Sequence, residues 1–376
     1  MGVTADEFAE RVLAASLGAW ETLSVYVGDR LGWYRSLALD GPATPAELAG
    51  RTGTSARYAR EWLEQQAVIG ILTVQPGLAL DGHGEEVADA VLTGPDGERR
   101  RYVLPAGAAE ALIDERSLAY LSPLPRMFAA AASHLPQLLE AYRSDGGVSW
   151  EDLGDDARES QADMNRPWFE GRLGEALRGV PAVHARLDRS GARMLDVGCG
   201  AGWSTIALAR AYPASMLDGV DIDAPSIGMA QRNAADAGVA DRVTFQVADG
   251  GTLETDVYDA AFAFECIHDM PQPVEVLAAV RRALRPDGIA IVMDEAVADK
   301  FTAPGDDLER LMYGFSLFVC LPDGLSSTPS AGTGTVMRQD ALRRYAVQAG
   351  FSDVEVLPIE DFGFWRFYRL VTTPRG

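Results

Sequence analysis

The sequence predicts an α/β protein. A Rossmann-like, mostly parallel sheet of seven strands with an antiparallel edge hairpin follows a mainly helical N-terminal domain of winged-helix type. Three observations predict this. From residue 193 onward, apolar runs of strand length alternate with segments of helical period, and such alternation assembles a parallel sheet covered by helices on both faces. The first apolar run ends in Asp196-Val-Gly-Cys-Gly-Ala-Gly202, a glycine-rich turn that opens directly into a helical run from Trp203 to Tyr212. The first 110 residues read instead as helix, helix, short strand and hairpin, the order of a winged helix.

The N-terminal elements follow from spacing and capping. Phe8–Tyr26 is helical, with apolar residues at 8, 12, 13, 17, 20 and 23. Thr44 caps a helix that has Pro45 in its first turn and Glu47 three residues after the cap. Ser55 begins a second helix through Trp62 and Ile69, closed by Gly70, and Ile71–Val74 is a short strand. Val87–Leu92 and Arg99–Leu104 flank a Gly-Pro-Asp-Gly turn and read as a hairpin. The helices carry apolar faces that a solitary winged helix does not cover, so this domain is expected to form a homodimer.

In the second half, strands are expected at Arg193–Val197, Met216–Ile222, Val243–Val247, Tyr258–Phe264 and Ile289–Met293, with a closing pair at Val354–Leu357 and Phe364–Val371. Helices fall at Ser204–Ala211, Pro225–Ala237, Val274–Leu284 and Ala341–Ala349. Pro286-Asp-Gly288 reads as a stop after the third of these helices. Lys300–Met337 interrupts the alternation beyond the C-terminal end of a strand, where ligands bind in such sheets; it is either a lid or a hydrophobic helix packed on the sheet. The chain thus divides into a winged-helix-like dimerisation domain at 1–110, a helical linker and flap at 111–180 that includes Gln161–Phe169, and a sheet domain at 181–376 with an insertion at 300–337.

Composition narrows the function. A chain of 376 residues, 47% hydrophobic, is long enough for two domains and a sizeable core. No apolar run approaches the ~20 residues of a membrane span, and Met1-Gly-Val-Thr-Ala-Asp-Glu lacks the basic, then apolar, start of a signal peptide. Cys199, Cys266 and Cys320 have neither a disulfide framework nor paired metal-ligand spacing, so a soluble cytoplasmic protein is expected, with no metal site read from the cysteines. The net charge of -22 opposes binding to nucleic acid or to an anionic membrane, and the single cluster Arg99-Arg-Arg101 does not offset it.

The glycine turn carries the chemistry. Gly198, Gly200 and Gly202 let a ligand lie against bare amides at a helix N-terminus. A dinucleotide fingerprint would require glycine where Trp203 stands. Asp196, two residues ahead of the first glycine, repels a pyrophosphate and suits an ammonium group. This D-x-G-x-G-x-G run, with Cys199 at its centre, resembles the first motif of the class I S-adenosylmethionine-dependent methyltransferases. Glu265-Cys-Ile-His-Asp-Met270, the tail Ser330-Ala-Gly-Thr-Gly-Thr-Val-Met-Arg338 and the N-terminal layout resemble a bacterial subfamily with an N-terminal winged-helix domain.

The resemblance implies S-adenosyl-L-methionine as cofactor. Asp221, followed by Ile222 at the end of the second strand, is the candidate for the ribose hydroxyls; Asp223 competes but suits the cap of the helix entered at Pro225. Ala248-Asp249-Gly250 after the third strand supplies an acid for the adenine amino group. Glu265 and Cys266 close the fourth strand beside the cofactor, where the reactive methyl faces the acceptor. His268 is the candidate general base, with Asp269 to orient it; the alternative is a histidine packed beside the adenosine. Glu295, two residues past the fifth strand, is a candidate for binding an acceptor amine or, with His268 and Asp269, a metal, the amine being favoured. The expected activity is methyl transfer to a small molecule such as a secondary metabolite, with oxygen favoured over nitrogen or carbon as acceptor. The alternatives are a cofactor-bound enzyme of a non-methylating reaction and a metabolite-sensing winged-helix transcription regulator.

Overall fold

The buried strands of the second half close into a single seven-stranded sheet. The strands are β1 (Arg193–Val197), β2 (Met216–Asp221), β3 (Val243–Val247), β4 (Tyr258–Phe264), β5 (Leu284–Glu295), β6 (Asp353–Val356) and β7 (Trp365–Val371). They lie in the order β6-β7-β5-β4-β1-β2-β3, and only β7 runs antiparallel to its neighbours. Sequence pattern matches position. Every residue of β4 is buried, as a central strand covered on both faces requires, whereas edge strand β3 buries alternate residues at its start. The computed structural model describes residues 3–75, 79–80, 86–87 and 99–372. Their contacts divide the chain into two compact units, Met1–Ala129 and Ala130–Gly376, so residues 130–180 pack as part of the sheet unit.

One strand differs from its expected length by more than a residue. β5 spans Leu284–Glu295 instead of Ile289–Met293. At its start, Pro286-Asp-Gly288 is absorbed into the strand beside a register irregularity opposite Tyr258 and Ala260. At its end, pairing with β7 carries it two residues further, setting Asp294 against Arg366 and Glu295 against Trp365. Cross-strand pairing thus brings two carboxylates into the sheet that sequence pattern left outside it.

The turn after β1 depends on its glycines. Gly202 begins the helix Trp203–Ala211 from a left-handed conformation, φ 79°. A Cβ there would stand 2.6 Å from the Phe245 ring and 2.9 Å from Ala230. The helix therefore seats against β3 because position 202 has no side chain.

In the first unit, the helices are Ala5–Arg30, Trp33–Leu39, Pro45–Thr52, Ala56–Val68 and Ala106–Ile113. The Thr44–Glu47 capping box forms as its spacing predicts. Trp33, Tyr34 and Trp62 meet at the core, with ring centroids 4.8 and 4.9 Å apart. The strand at Arg101–Val103 takes a different partner from the one expected. It pairs antiparallel with Thr73–Gln75, while Glu86–Val87 pairs with Ala79–Leu80. The Gly-Pro-Asp-Gly turn and the rest of Val87–Leu92 lie outside the described residues. The long first helix buries only Gly28; Phe8, Val12, Leu13, Leu17 and Trp20 are exposed. Among the described residues, no helix is long and apolar enough to cross a membrane.

The insertion is helical, as its pattern predicts. Asp307–Phe315 continues through one wide π turn, Ser316–Cys320, into Leu321–Gly324. It buries Met312, Val319 and Cys320 and leaves Tyr313, Leu317 and Phe318 partly exposed.

The glycine argument gives a stability prediction. Gly202→Ala adds left-handed strain to overpacking against Phe245 and should destabilise the protein by about 2–4 kcal/mol. Gly238 has a similar φ of 69° but open space around it. Gly238→Ala should cost only the strain, about 1–2 kcal/mol. Urea unfolding of the two variants measures the difference, and equal losses would refute the packing half of the argument.

Candidate active site

The C-terminal ends of β1 to β5 form one continuous edge, and the strand order reverses beside β1, where sheets of this type place their ligands. Gly198, Gly200 and Gly202 are all left-handed, with φ of 69°, 50° and 79°. The amides of Gly198 and Cys199 donate to the Val220 carbonyl at 2.8 and 3.1 Å, fastening the turn to β2.

Asp221 is the fixed point of this edge. One carboxylate oxygen accepts from the Gly200 amide at 2.8 Å and the other from the Asp223 amide at 2.9 Å. Its carbonyl accepts from the Ala248 amide at 2.9 Å, so the ends of β1, β2 and β3 are tied to one residue. Burial raises its pKa against the backbone bonds that lower it. Asp223 has another task. It caps the helix Ala224–Asp236 through Ser226 and holds Arg158 in a two-pronged ion pair at 2.8 and 2.9 Å. Burial opposes its charge, but Arg158 and Ser226 outweigh that and hold its pKa below the usual range. Asp223 is thus engaged by a side chain and a helix cap, and Asp221 by backbone amides. Ile222 is exposed beside it. Asp249 accepts from the Gly251 amide at 2.8 Å within its own turn, and Gly250 is buried where a Cβ would press on Val197.

Asp196 sits deeper than the ammonium contact expected for it suggests. It is 1% exposed; one oxygen accepts from Ser204 and Thr205 hydroxyls, both at 2.6 Å, and the other has no hydrogen-bond partner among the described residues. Burial lifts its pKa to about 6. Cys199 is buried, and the Cys266 thiol donates to the Val197 carbonyl at 3.2 Å.

The end of β4 gathers the remaining candidates. Glu265 adopts a left-handed φ of 51°, which turns its carboxylate back toward the helix Trp150–Trp168. There it accepts from Asn165, from Gln161 at 3.2 Å and from the Trp365 indole. The Gln161–Phe169 segment expected as a flap is thus helix up to Trp168 and touches the β4 end through these two amides. Burial pushes the Glu265 pKa up to about 7.

His268 lies 2% exposed between carboxylates. Its Nδ1 is 2.9 Å from Asp294 and 3.3 Å from Glu295, and its Nε2 is 3.0 Å from Asp269. Burial opposes a charge on the ring, but the three carboxylates outweigh it and hold the pKa well above that of an ordinary histidine. Glu295 is buried and its pKa raised well up by that burial. Asp269 is the most accessible of the three carboxylates, its side chain 31% exposed. Asp294 escaped the sequence reading; the signal was the acidic pair Asp294-Glu295 ending an apolar strand.

The insertion closes on this cluster. The Gly334 amide donates to the His268 carbonyl at 3.1 Å and that of Ala331 to the Pro271 carbonyl at 2.8 Å. Asp323 accepts from the Trp150 amide at 2.7 Å, and burial pushes its pKa up to about 7. Cys320 comes within 4.8 Å of ligand atoms on His268 and Asp269.

Comparison with known proteins agrees with this arrangement. Residues 188–317 match the family model of a methyltransferase domain. The 27-O-demethylrifamycin SV methyltransferase of Amycolatopsis mediterranei is 37% identical over 125 residues, 33% of this chain and 46% of that protein. A ubiquinone biosynthesis O-methyltransferase of Xanthomonas oryzae is 32% identical over 107 residues, 28% of this chain and 44% of that protein. The chain thus spans about half the length of the curated relatives it matches. The whole chain is similar in fold to mitomycin 7-O-methyltransferase, with a TM-score of 0.68 at 21% identity over 99% of this chain and 100% of that one. It is likewise similar to human N-acetylserotonin methyltransferase in complex with S-adenosylmethionine, with a TM-score of 0.66 at 16% identity over 99% and 100%. The glycine turn and the pinned Asp221 thus lie within the stretch, residues 188–317, that matches a methyltransferase domain.

Proposed function

We propose that the protein is an S-adenosylmethionine-dependent methyltransferase of a small-molecule acceptor, with a hydroxyl as the favoured methyl-accepting group. The observation that carries this is Asp221, held by two backbone amides at the switch point of the sheet, opposite a turn of three left-handed glycines. Several similar proteins are named as O-methyltransferases, among them the mitomycin and ubiquinone enzymes, which supports an oxygen acceptor.

The roles follow from accessibility and charge. Asp221 receives the ribose hydroxyls, Asp249 the adenine amino group, and Gly198, Gly200 and Gly202 let the cofactor lie against backbone. Glu265 offers a carboxylate to the cofactor's ammonium group. When bound, the sulfonium supplies the transferable methyl, and the chain's task is to align the acceptor and exclude water. Asp269, the accessible member of the histidine cluster, takes the acceptor's proton or hydrogen bond. His268, with Nε2 3.0 Å from Asp269, positions that carboxylate.

The first unit joins two copies through its exposed apolar helix Ala5–Arg30. The enzyme works in the cytoplasm, in keeping with three unpaired cysteines.

Calorimetry should show S-adenosylmethionine and its demethylated product binding, and NAD not binding. Asp221→Ala should weaken cofactor binding by about 1.5–3 kcal/mol, the range for hydrogen bonds to a charged group. Unchanged affinity would remove Asp221 from the ribose. Glu265 sets a pH dependence. Its free carboxyl takes up a proton as pH falls through about 7, and a bound cation must displace that proton. Cofactor affinity should therefore be level above that pH and fall below it, by at most about tenfold per unit. Glu265→Gln should flatten the profile, and calorimetry in buffers of different ionisation heat should register proton release. For the assembly, light scattering of the full chain should give a dimer, and Trp20→Glu should shift it toward monomer; a wild-type monomer at all concentrations would refute the interface.

A further inference from the structure

The helix Trp150–Trp168 brings two amide side chains to one carboxylate. Gln161 and Asn165 are four residues apart, hence on one helix face, and both donate to the same oxygen of Glu265. The other Glu265 oxygen accepts from the Trp365 indole. Asn165 has more to offer than its bond to Glu265 uses. It is 6% exposed, and its Oδ1 is buried with no hydrogen-bond partner among the described residues. A buried carbonyl oxygen without a donor costs free energy that a bound N–H group offsets. Because Nδ2 is fixed on Glu265, Oδ1 stands beside the same carboxylate.

We propose that Asn165 is a cofactor-binding residue: its Oδ1 accepts a hydrogen bond from the ammonium group at the amino-acid end of S-adenosylmethionine, next to the Glu265 carboxylate. This rests on the methyltransferase reading and adds to it a ligand from outside the sheet. The glycine turn lies against the segment that carries Glu265. A Cβ on Gly198 would stand 2.8 Å from both the Cβ and the Sγ of Cys266, and the Cys266 thiol donates to the Val197 carbonyl at 3.2 Å. A ligand extended along the turn therefore arrives at Glu265 and Asn165. An ammonium group has three hydrogens to place, and one carboxylate already engaged by three donors does not accept them all. An amide carbonyl adds an acceptor without burying a second charge. The nitrogen of the same amide keeps Glu265 oriented, so one side chain both positions the carboxylate and shares its cation. The amino-acid end is what separates the cofactor from simpler adenosine thioethers, so Asn165 contributes to selectivity between them.

The test is calorimetry of the full chain with three ligands: S-adenosylhomocysteine, its deaminated analogue, and methylthioadenosine, which lacks the amino-acid end altogether. The unsubstituted chain should prefer S-adenosylhomocysteine to the deaminated analogue. Asn165→Leu, similar in volume, should weaken binding of S-adenosylhomocysteine by at least about tenfold, the low end for a hydrogen bond to a charged group, and leave methylthioadenosine unaffected. Asn165→Asp keeps the acceptor oxygen and removes the donor, and at mildly alkaline pH it should retain the preference for the amino compound. Circular dichroism and methylthioadenosine binding establish that each variant is folded. Equal losses for both thioethers would leave Asn165 a purely structural role, and an Asn165→Asp chain that behaves like Asn165→Leu would leave only the hold of Nδ2 on Glu265; either result overturns the inference. Should the variants not fold, a crystal structure of the unsubstituted chain with S-adenosylhomocysteine decides alone, and an ammonium nitrogen beyond hydrogen-bond reach of Oδ1 overturns it. Undiminished binding of S-adenosylhomocysteine to Asn165→Leu refutes the inference and leaves the methyltransferase reading standing; an unsubstituted chain that binds none of the three ligands removes that reading and the inference with it.

Discussion

Two amides converging on one carboxylate organise the cofactor edge. Gly200 belongs to the turn after β1 and Asp223 to the approach of the next helix, and both donate to Asp221 at the tip of β2. An aspartate that accepts two backbone bonds cannot swing, so its remaining acceptor capacity points one way before any ligand arrives. Catalysis and binding gain from such preorganisation because the ordering cost is met during folding. Much nearby geometry follows. Gly200 is left-handed where its amide meets Asp221, Gly202 must lack a side chain to seat its helix on Phe245, and Asp223 caps a helix and holds Arg158.

A second constraint acts at the other end of the same edge. β5 and β7 pair as far as Glu295 and Trp365, and this register brings Asp294 and Glu295 beneath His268 while placing the Trp365 indole on Glu265. The two carboxylate groups on this edge, one beside β4 and one beside β5, are thus positioned by a single antiparallel ladder. Sliding that ladder by one residue would turn each of these side chains to the opposite face.

The sequence made most of the sheet legible because its strands are either continuous apolar runs or alternate strictly, and its turns carry glycine, proline or aspartate where backbone geometry demands them. Arg193–Val197, Val243–Val247 and Tyr258–Phe264 have the expected bounds. Long-range pairing was not legible. Nothing local to Asp294 says that β7 will extend the strand past Met293, and nothing local to Arg101–Val103 says that its partner is Thr73–Gln75 rather than the nearer Val87–Leu92. The candidate site divides in the same way. Residues of a local motif, such as Gly198 and Asp221, were marked; the Gln161–Phe169 segment was marked as a flap, but the pairing of its Gln161 and Asn165 with Glu265 was not legible. Part of the surroundings of His268 was hidden for the same reason, since two of the three carboxylates at its ring, Asp294 and Glu295, lie 26 and 27 residues away in the chain.

The way the insertion is fastened bears on how such a protein diversifies. Its attachments to the rest of the unit include main-chain bonds: Val148 to Pro322, Ala331 to Pro271, and Gly334 to His268. Bonds between backbone groups are indifferent to which side chains the segment carries. The partly exposed positions Tyr313, Leu317 and Phe318 can therefore change identity while the segment keeps its seat. An architecture of this kind separates the seat of a segment from its chemistry. The edge around Asp221 is set by backbone geometry, whereas the insertion presents side chains that can vary without altering how the unit folds.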